Sequence, residues 1–122
     1  MKASPRISDA EWQIMKIVWK LAPCSAQQVI DELAMSTSWS ATTIKTLLNR
    51  LLRKGALDFT KTGKSYLYSP AWTEEECRGL EAQSFLDRVF DGALSPMLAH
   101  FVRAKKLGKK DLQELERLLK EK

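Results

Sequence analysis

SATTIKTLLNRLLRKG, residues Ser40 to Gly55, acquires two unlike faces when it is wound as a helix. At about 100° per residue, Ile44, Leu47, Leu48, Leu51 and Leu52 share one stripe roughly 140° wide. Thr42, Thr43, Lys45, Thr46, Asn49, Arg50 and Arg53 cover the remainder. Ser40 stands where an N-cap stands, and Gly55 follows Arg53 and Lys54 as a stop. The polar face holds three bases, three threonines and an asparagine, and no acid. A solvated helix face ordinarily mixes signs, because opposite charges four residues apart stabilise it. A face of donors suits phosphate oxygens and the acceptor-rich base edges of a DNA major groove.

Toward the N-terminus the same kind of helix start occurs twice more. Ser8 with Glu11, and Ser25 with Gln28, read as capping boxes, flanked by the apolar staples Ile7/Trp12 and Cys24/Val29. Ser40 keeps the cap and a Trp39/Ile44 staple, but Thr43 replaces the acid or amide. Toward the C-terminus the period changes. Leu57 and Phe59 alternate with polar residues, Thr62-Gly63 reads as a turn, Tyr66-Leu67-Tyr68 resumes the extended pattern, and Pro70 ends it. This is a hairpin with Lys61, Thr62 and Lys64 near its tip. Three helices followed by a hairpin is the order of a winged helix-turn-helix domain, expected over residues 1–70. The fold class is therefore mainly α with a small β part. The residues placed to meet DNA are Ser40, Thr42, Thr43, Lys45, Thr46, Asn49, Arg50 and Arg53 on the third helix. Lys61, Lys64 and Tyr66 join them on the wing.

Charge follows the same division. Ten lysines and arginines stand against five acids through Pro70, and ten stand against ten afterwards, so the whole net charge of +5 lies in the first half. The 122 residues, 44% apolar and 29% charged, describe a globular chain. No run of eighteen apolar residues exists, so membrane insertion is not expected. The opening MKASPRISDAEW has no apolar leader, which points to the cytoplasm. Cys24 and Cys77 are too far apart for a metal cluster and too few for a disulfide framework. His100 is the single histidine. No metal, cofactor or catalytic residue is expected, and no phosphate loop or nucleophile motif supports an enzyme. Trp12, Trp19, Trp39 and Trp72 sit at staple or stripe positions and read as core.

Residues 71–122 form a second module. A box of Thr73 and Glu76 opens a fourth helix, Ser95-Pro96 a fifth, and a sixth follows Gly108. Phe85, Leu86, Val89, Phe90, Leu94, Met97, Leu98 and Phe101 recur at helical spacing, and Leu112, Leu115, Leu118 and Leu119 make a second stripe. So much apolar surface on so short a segment needs another surface to cover it. A twofold homodimer through these residues is the simplest expectation, with packing onto the first domain as the alternative.

SDAEWQIMKIVW in the first helix, SATTIKTLLNRLLRKG in the third and KSYLYSP in the wing together resemble the penicillinase repressors of the BlaI/MecI type, from Ser8 almost to the C-terminus. The resemblance implies a winged-helix homodimer that binds a palindromic double-stranded operator and represses genes of antibiotic resistance or related stress functions, often beside a membrane sensor with a metalloprotease domain. It places operator contacts at Thr42, Thr43, Lys45, Thr46 and Arg50, and lays the wing from Lys61 to Tyr66 along the phosphate backbone. In some members an Asn–Phe bond of the dimerisation domain is cleaved on induction. Here the matching step is His100-Phe101, which keeps the phenylalanine and not the asparagine. The Cys-x-Cys ending of a copper-responsive branch is missing from LERLLKEK.

Two other functions compete with a dimeric repressor. One is a DNA-binding regulator released by a small molecule or by oxidation of Cys24 or Cys77. The other is a winged-helix protein-interaction module that never touches DNA, against which the acid-free third-helix face argues.

Overall fold

The structure, a computed structural model, describes residues 6–121. Residues 1–5, part of the opening read above as leaderless, and Lys122 lie outside the described residues. Helices α1 (Asp9–Leu21), α2 (Ala26–Leu33) and α3 (Ala41–Arg53) precede a hairpin of β1 (Leu57–Thr62) and β2 (Ser65–Pro70). Helices α4 (Glu74–Phe90), α5 (Leu94–Arg103) and α6 (Lys109–Lys120) follow. The chain divides into two compact units, the first ending at Gly79 and the second beginning at Leu80.

Helix starts in the first unit are set by side chains. Ser8 and Glu11 form a reciprocal box at α1, and Ser25 and Gln28 do so at α2. Each box satisfies two backbone donors that a helix start otherwise leaves orphaned. Ser40 accepts from the Thr43 N–H at 3.1 Å to open α3. Thr73 and Glu76 close the box that opens α4, at 2.9 and 3.0 Å. The α3 helix stops at Gly55, whose φ of +79° is the left-handed backbone that glycine adopts without steric cost.

The hairpin is antiparallel, with Leu57 opposite Pro70, Phe59 opposite Tyr68 and Lys61 opposite Tyr66. Gly63 and Lys64 make its turn, and Gly63 has φ +62°, the positive first position of a type II′ turn. Cys24, between α1 and α2, adds an isolated bridge to β2. Its N–H donates to the Tyr68 carbonyl at 3.1 Å, and the Tyr68 N–H donates back at 2.7 Å. The start of α2 is thereby fastened beside the wing.

Ile14, Met15, Val18, Val29, Leu33, Ile44, Leu47, Leu48, Leu51, Leu57 and Tyr68 are the buried heart of this unit. All four tryptophans pack against it half-buried, and the Trp19 indole donates to the Trp72 carbonyl at 2.9 Å. Cys77, three residues into α4, is buried in the same core. That anchoring explains why the division falls inside α4, at Gly79, and not at Pro70 where the hairpin ends.

The second unit is built differently. Neither α5 nor α6 has a buried residue. The α5 helix begins at Leu94 with Ala93 as N-cap and no side-chain bond. That is two residues before the start expected from sequence, with Ser95 as cap and Pro96 as first helical residue. Proline sits comfortably in the first turn, where its missing N–H has no intrahelical partner to lose. The α6 helix opens after Gly108 as expected, with Asp111 accepting from the Gly108 N–H at 3.1 Å.

Candidate nucleic-acid interface

Helix α3 keeps the two-faced character of its sequence. Ile44, Leu47, Leu48 and Leu51 are buried, while Thr42, Thr43, Lys45, Thr46, Asn49, Arg50 and Arg53 are all exposed. Ser40 and Thr43 are tied to each other, hydroxyl to hydroxyl, at 3.1 Å. The Thr46 hydroxyl donates back to the Thr42 carbonyl at 3.0 Å, so its methyl group and oxygen are held in one orientation. No acid interrupts this face. The exposed surface of α3 is therefore a row of hydroxyls, amide and cations held rigidly on a helix whose other side is locked into the core.

On the wing, Lys61 and Lys64 are exposed on either side of the turn. Phe59 and Tyr66, 52% and 46% exposed, meet edge to face at 4.9 Å between ring centroids. Because opposed residues share a sheet face, Leu57, Phe59 and Lys61 stand with Tyr68 and Tyr66 on one side. That side is core at its base and open toward its tip. Tyr66 also lines a crevice with Lys45 and Asn49 of α3. The structure thus brings Lys45 and Asn49 of α3 to the same crevice as Tyr66 of the wing.

One residue of this region was not visible as such in the sequence. Lys54, the C-cap of α3, is partly exposed, but its side chain turns toward the start of α1. Its ammonium donates to Glu11 Oε1 and, at 2.7 Å, to the Arg6 carbonyl. Glu11 is 1% exposed. Burial alone raises the pKa of its carboxyl, but the bonds from Lys54 and Ser8 together with the Lys54 charge outweigh that and hold it below its ordinary range. The start of α1 and the end of α3 are therefore clamped to each other.

Both thiols are buried, and burial pushes both up, which keeps them protonated and sheltered. Among the described residues no cluster of His, Cys, Asp and Glu has the spacing of a metal site, and no helix is long and apolar enough to cross a membrane.

In the second unit, Phe85, Val89, Leu94, Leu112, Leu115, Leu118 and Leu119 are exposed, Leu119 at 71%. Leu86, Phe90, Met97, Leu98 and Phe101 are half-buried. His100 is exposed on α5, its ring 5.7 Å from that of Phe101.

A tri-helical core, a wing beside its third helix and an acid-free donor face on that helix define a winged-helix DNA-binding regulator. The family model for the penicillinase repressor matches residues 7–121. The penicillinase repressor of Bacillus licheniformis is 38% identical over 121 residues, covering 99% of this chain and 94% of that protein. The methicillin resistance regulatory protein MecI of Staphylococcus aureus is 33% identical over 116 residues, covering 95% and 94%. Two solution structures are similar to part of the chain, each 43% identical and covering 62% of this chain and 93% of the other. They are the DNA-binding domain of the repressor BlaI, with a TM-score of 0.56, and the monomeric form of B. licheniformis BlaI in complex with the blaP half-operator, with a TM-score of 0.54. The chain belongs to the penicillinase repressor family and is a DNA-binding transcriptional repressor.

Proposed function

We propose that the chain represses transcription as a homodimer on a palindromic operator, with α3 in the major groove and the wing along the adjacent backbone. The acid-free face of α3 carries the DNA part of this reading. Thr42, Thr43, Lys45, Thr46, Asn49, Arg50 and Arg53 meet the duplex there, with Ser40 at the helix start and Lys61, Lys64 and Tyr66 on the wing. The dimer part rests on the second unit, whose α5 and α6 lack any buried residue. A second copy offers the same apolar stripes, and twofold pairing would bury both at once. The regulated genes in this reading concern antibiotic resistance, as the names of the relatives suggest.

Selection of bound sequences from random duplexes tests both parts. One sequence with twofold symmetry should emerge, its half-sites separated by about one helical turn or a multiple of it. Affinity should fall steeply with salt as condensed counterions are released. Recovery of no preferred sequence, or sedimentation of the full chain as a monomer at micromolar concentration, would refute the corresponding part.

Relief of repression in this reading comes from a cut between His100 and Phe101 by a membrane metalloprotease sensor. The bond lies inside α5, so a cut there detaches residues 101–122 with the whole leucine stripe of α6. Cells carrying repressor and sensor should show the two fragment masses on induction. Derepression with only the intact mass would refute cleavage.

A further inference from the structure

Between the start of α2, the wing-side edge of α3 and the first residues of β2 lies an open crevice of about 410 Å³. Ala26, Ile30 and Tyr68 form its apolar floor and walls. Lys45, Asn49, Ser65 and Tyr66 bring an ammonium, an amide and two hydroxyls to it. Among the described residues these four polar ends have no hydrogen-bond or ion-pair partner. Gln27, by contrast, already gives its side-chain amide to Asp31 at 2.8 Å and only lines the wall. The crevice exists because the Cys24–Tyr68 bridge draws the start of α2 against the wing.

Its position on α3 is informative. At about 100° per residue, Lys45 and Asn49 stand roughly 40° apart at one edge of the polar face, beside Leu52. Thr42, Thr46 and Arg53 occupy the middle, and Thr43 and Arg50 the far edge. A helix lying in a major groove has base edges beneath its middle and a sugar-phosphate backbone along its flank. The flank on the wing side is where Lys45 and Asn49 meet Ser65 and Tyr66.

We propose that this crevice seats one backbone phosphodiester of each half-site, held by Lys45, Asn49, Ser65 and Tyr66. Lys45 and Asn49 therefore set the register of α3 in the groove. Sequence is read by Thr42 and Thr46 from the middle of the face and by the long side chain of Arg50, which reaches in from the far edge. The proposal rests on the operator-binding reading above and assigns the roles within it.

The test uses the full chain and the duplex recovered by selection, together with an unrelated duplex of equal length. Lys45→Ala should weaken both duplexes by the same factor and lower the slope of log affinity against log salt by about one. Asn49→Ala should weaken both with the slope unchanged, since it removes no charge. Neutral methylphosphonates placed at single positions should reveal one phosphate per half-site whose neutralisation weakens the parent but adds no further loss to Lys45→Ala. A changed base preference in Lys45→Ala, or additive losses at every phosphate, would overturn the proposal. Inorganic phosphate, titrated without DNA at constant ionic strength, should not saturate the crevice. Saturation in the millimolar range, abolished by Lys45→Ala, would assign it to a free phosphate-bearing ligand and overturn the backbone assignment. A parent chain that binds no duplex at all would fail the operator reading itself, which is a distinct result.

Discussion

Glu11 and Lys54 show how a side chain that looks local becomes tertiary. In the sequence Glu11 is the third residue of a capping box, and Lys54 is a cation placed at the negative end of a helix. Each does this, and the two also meet each other across 43 positions. No period or motif predicts that pairing, because it depends on how α1 and α3 cross. The partners are unequal. Lys54 keeps 35% of its side chain in water, whereas Glu11 keeps 1%. Removing the lysine strands a buried carboxylate whose other oxygen already lacks a partner among the described residues. Removing the acid's charge frees a lysine that solvent can receive. Lys54→Met should therefore cost about 3 kcal/mol and Glu11→Gln only about 1 kcal/mol in chemical denaturation. Equal losses would show that the carboxylate is not the desolvated member. The sign with pH follows from the lowered carboxyl pKa. Its stabilising contribution is complete above the ordinary value near 4.5 and is lost as pH falls through the lower folded value. Lys54→Met removes part of that lowering, so the variant, though less stable at neutral pH, should lose less stability than the parent as pH falls below that value.

At the level of elements, the helix starts were the most legible part of the sequence, since serine or threonine with an acid or amide three residues on is a local device. Starts at Ser8, Ser25, Ser40 and Thr73 all stand where the pattern placed them. The start of α5 did not, because it uses no side-chain cap, and the Ser95-Pro96 signal falls inside its first turn. The crevice was also illegible, since it requires the Cys24–Tyr68 bridge and cannot be seen in any single element. Helix α3 differs from its neighbours in one informative way. The boxes at α1, α2 and α4 are completed by Glu11, Gln28 and Glu76, and α3 has Thr43 instead. An acid there would favour the positive end of the helix, and the helix forgoes it. Thr43→Glu should raise stability by about 0.3–1 kcal/mol, measured by thermal unfolding. The same change should lower operator affinity by about tenfold or more, since it sets a carboxylate against phosphates and base acceptors. A variant that is more stable and binds as well as the parent would show that Thr43 lies away from DNA. Arg50→Ala should leave stability nearly unchanged and cost about 1–3 kcal/mol of operator binding, with relaxed preference at one base position.

The whole molecule joins a unit with a complete core to a unit without one. Cys77 and Trp72 pack with the first core, so a chain ending at Gly79 retains every residue of that core. Such a truncation should stay folded and sediment as a monomer. Its operator affinity should fall by about 10²–10⁴, because linked half-site contacts raise each other's effective concentration. Retained affinity would mean that the second unit does not couple two DNA-binding units. The apolar richness of residues 80–122 was plain in the sequence, but its meaning was not, since a stripe looks the same whether its cover is the same chain or another. The absence of any buried residue in α5 and α6 has a consequence for dosage. In the proposed dimer, folding of the second unit and the number of repressor molecules belong to one equilibrium. Where monomers predominate, the dimer population varies with the square of protein concentration. Twofold dilution by one generation of growth without new synthesis would then leave about a quarter of the dimer concentration. A target gene would answer to copy number as a threshold, opening sharply below a set amount of protein.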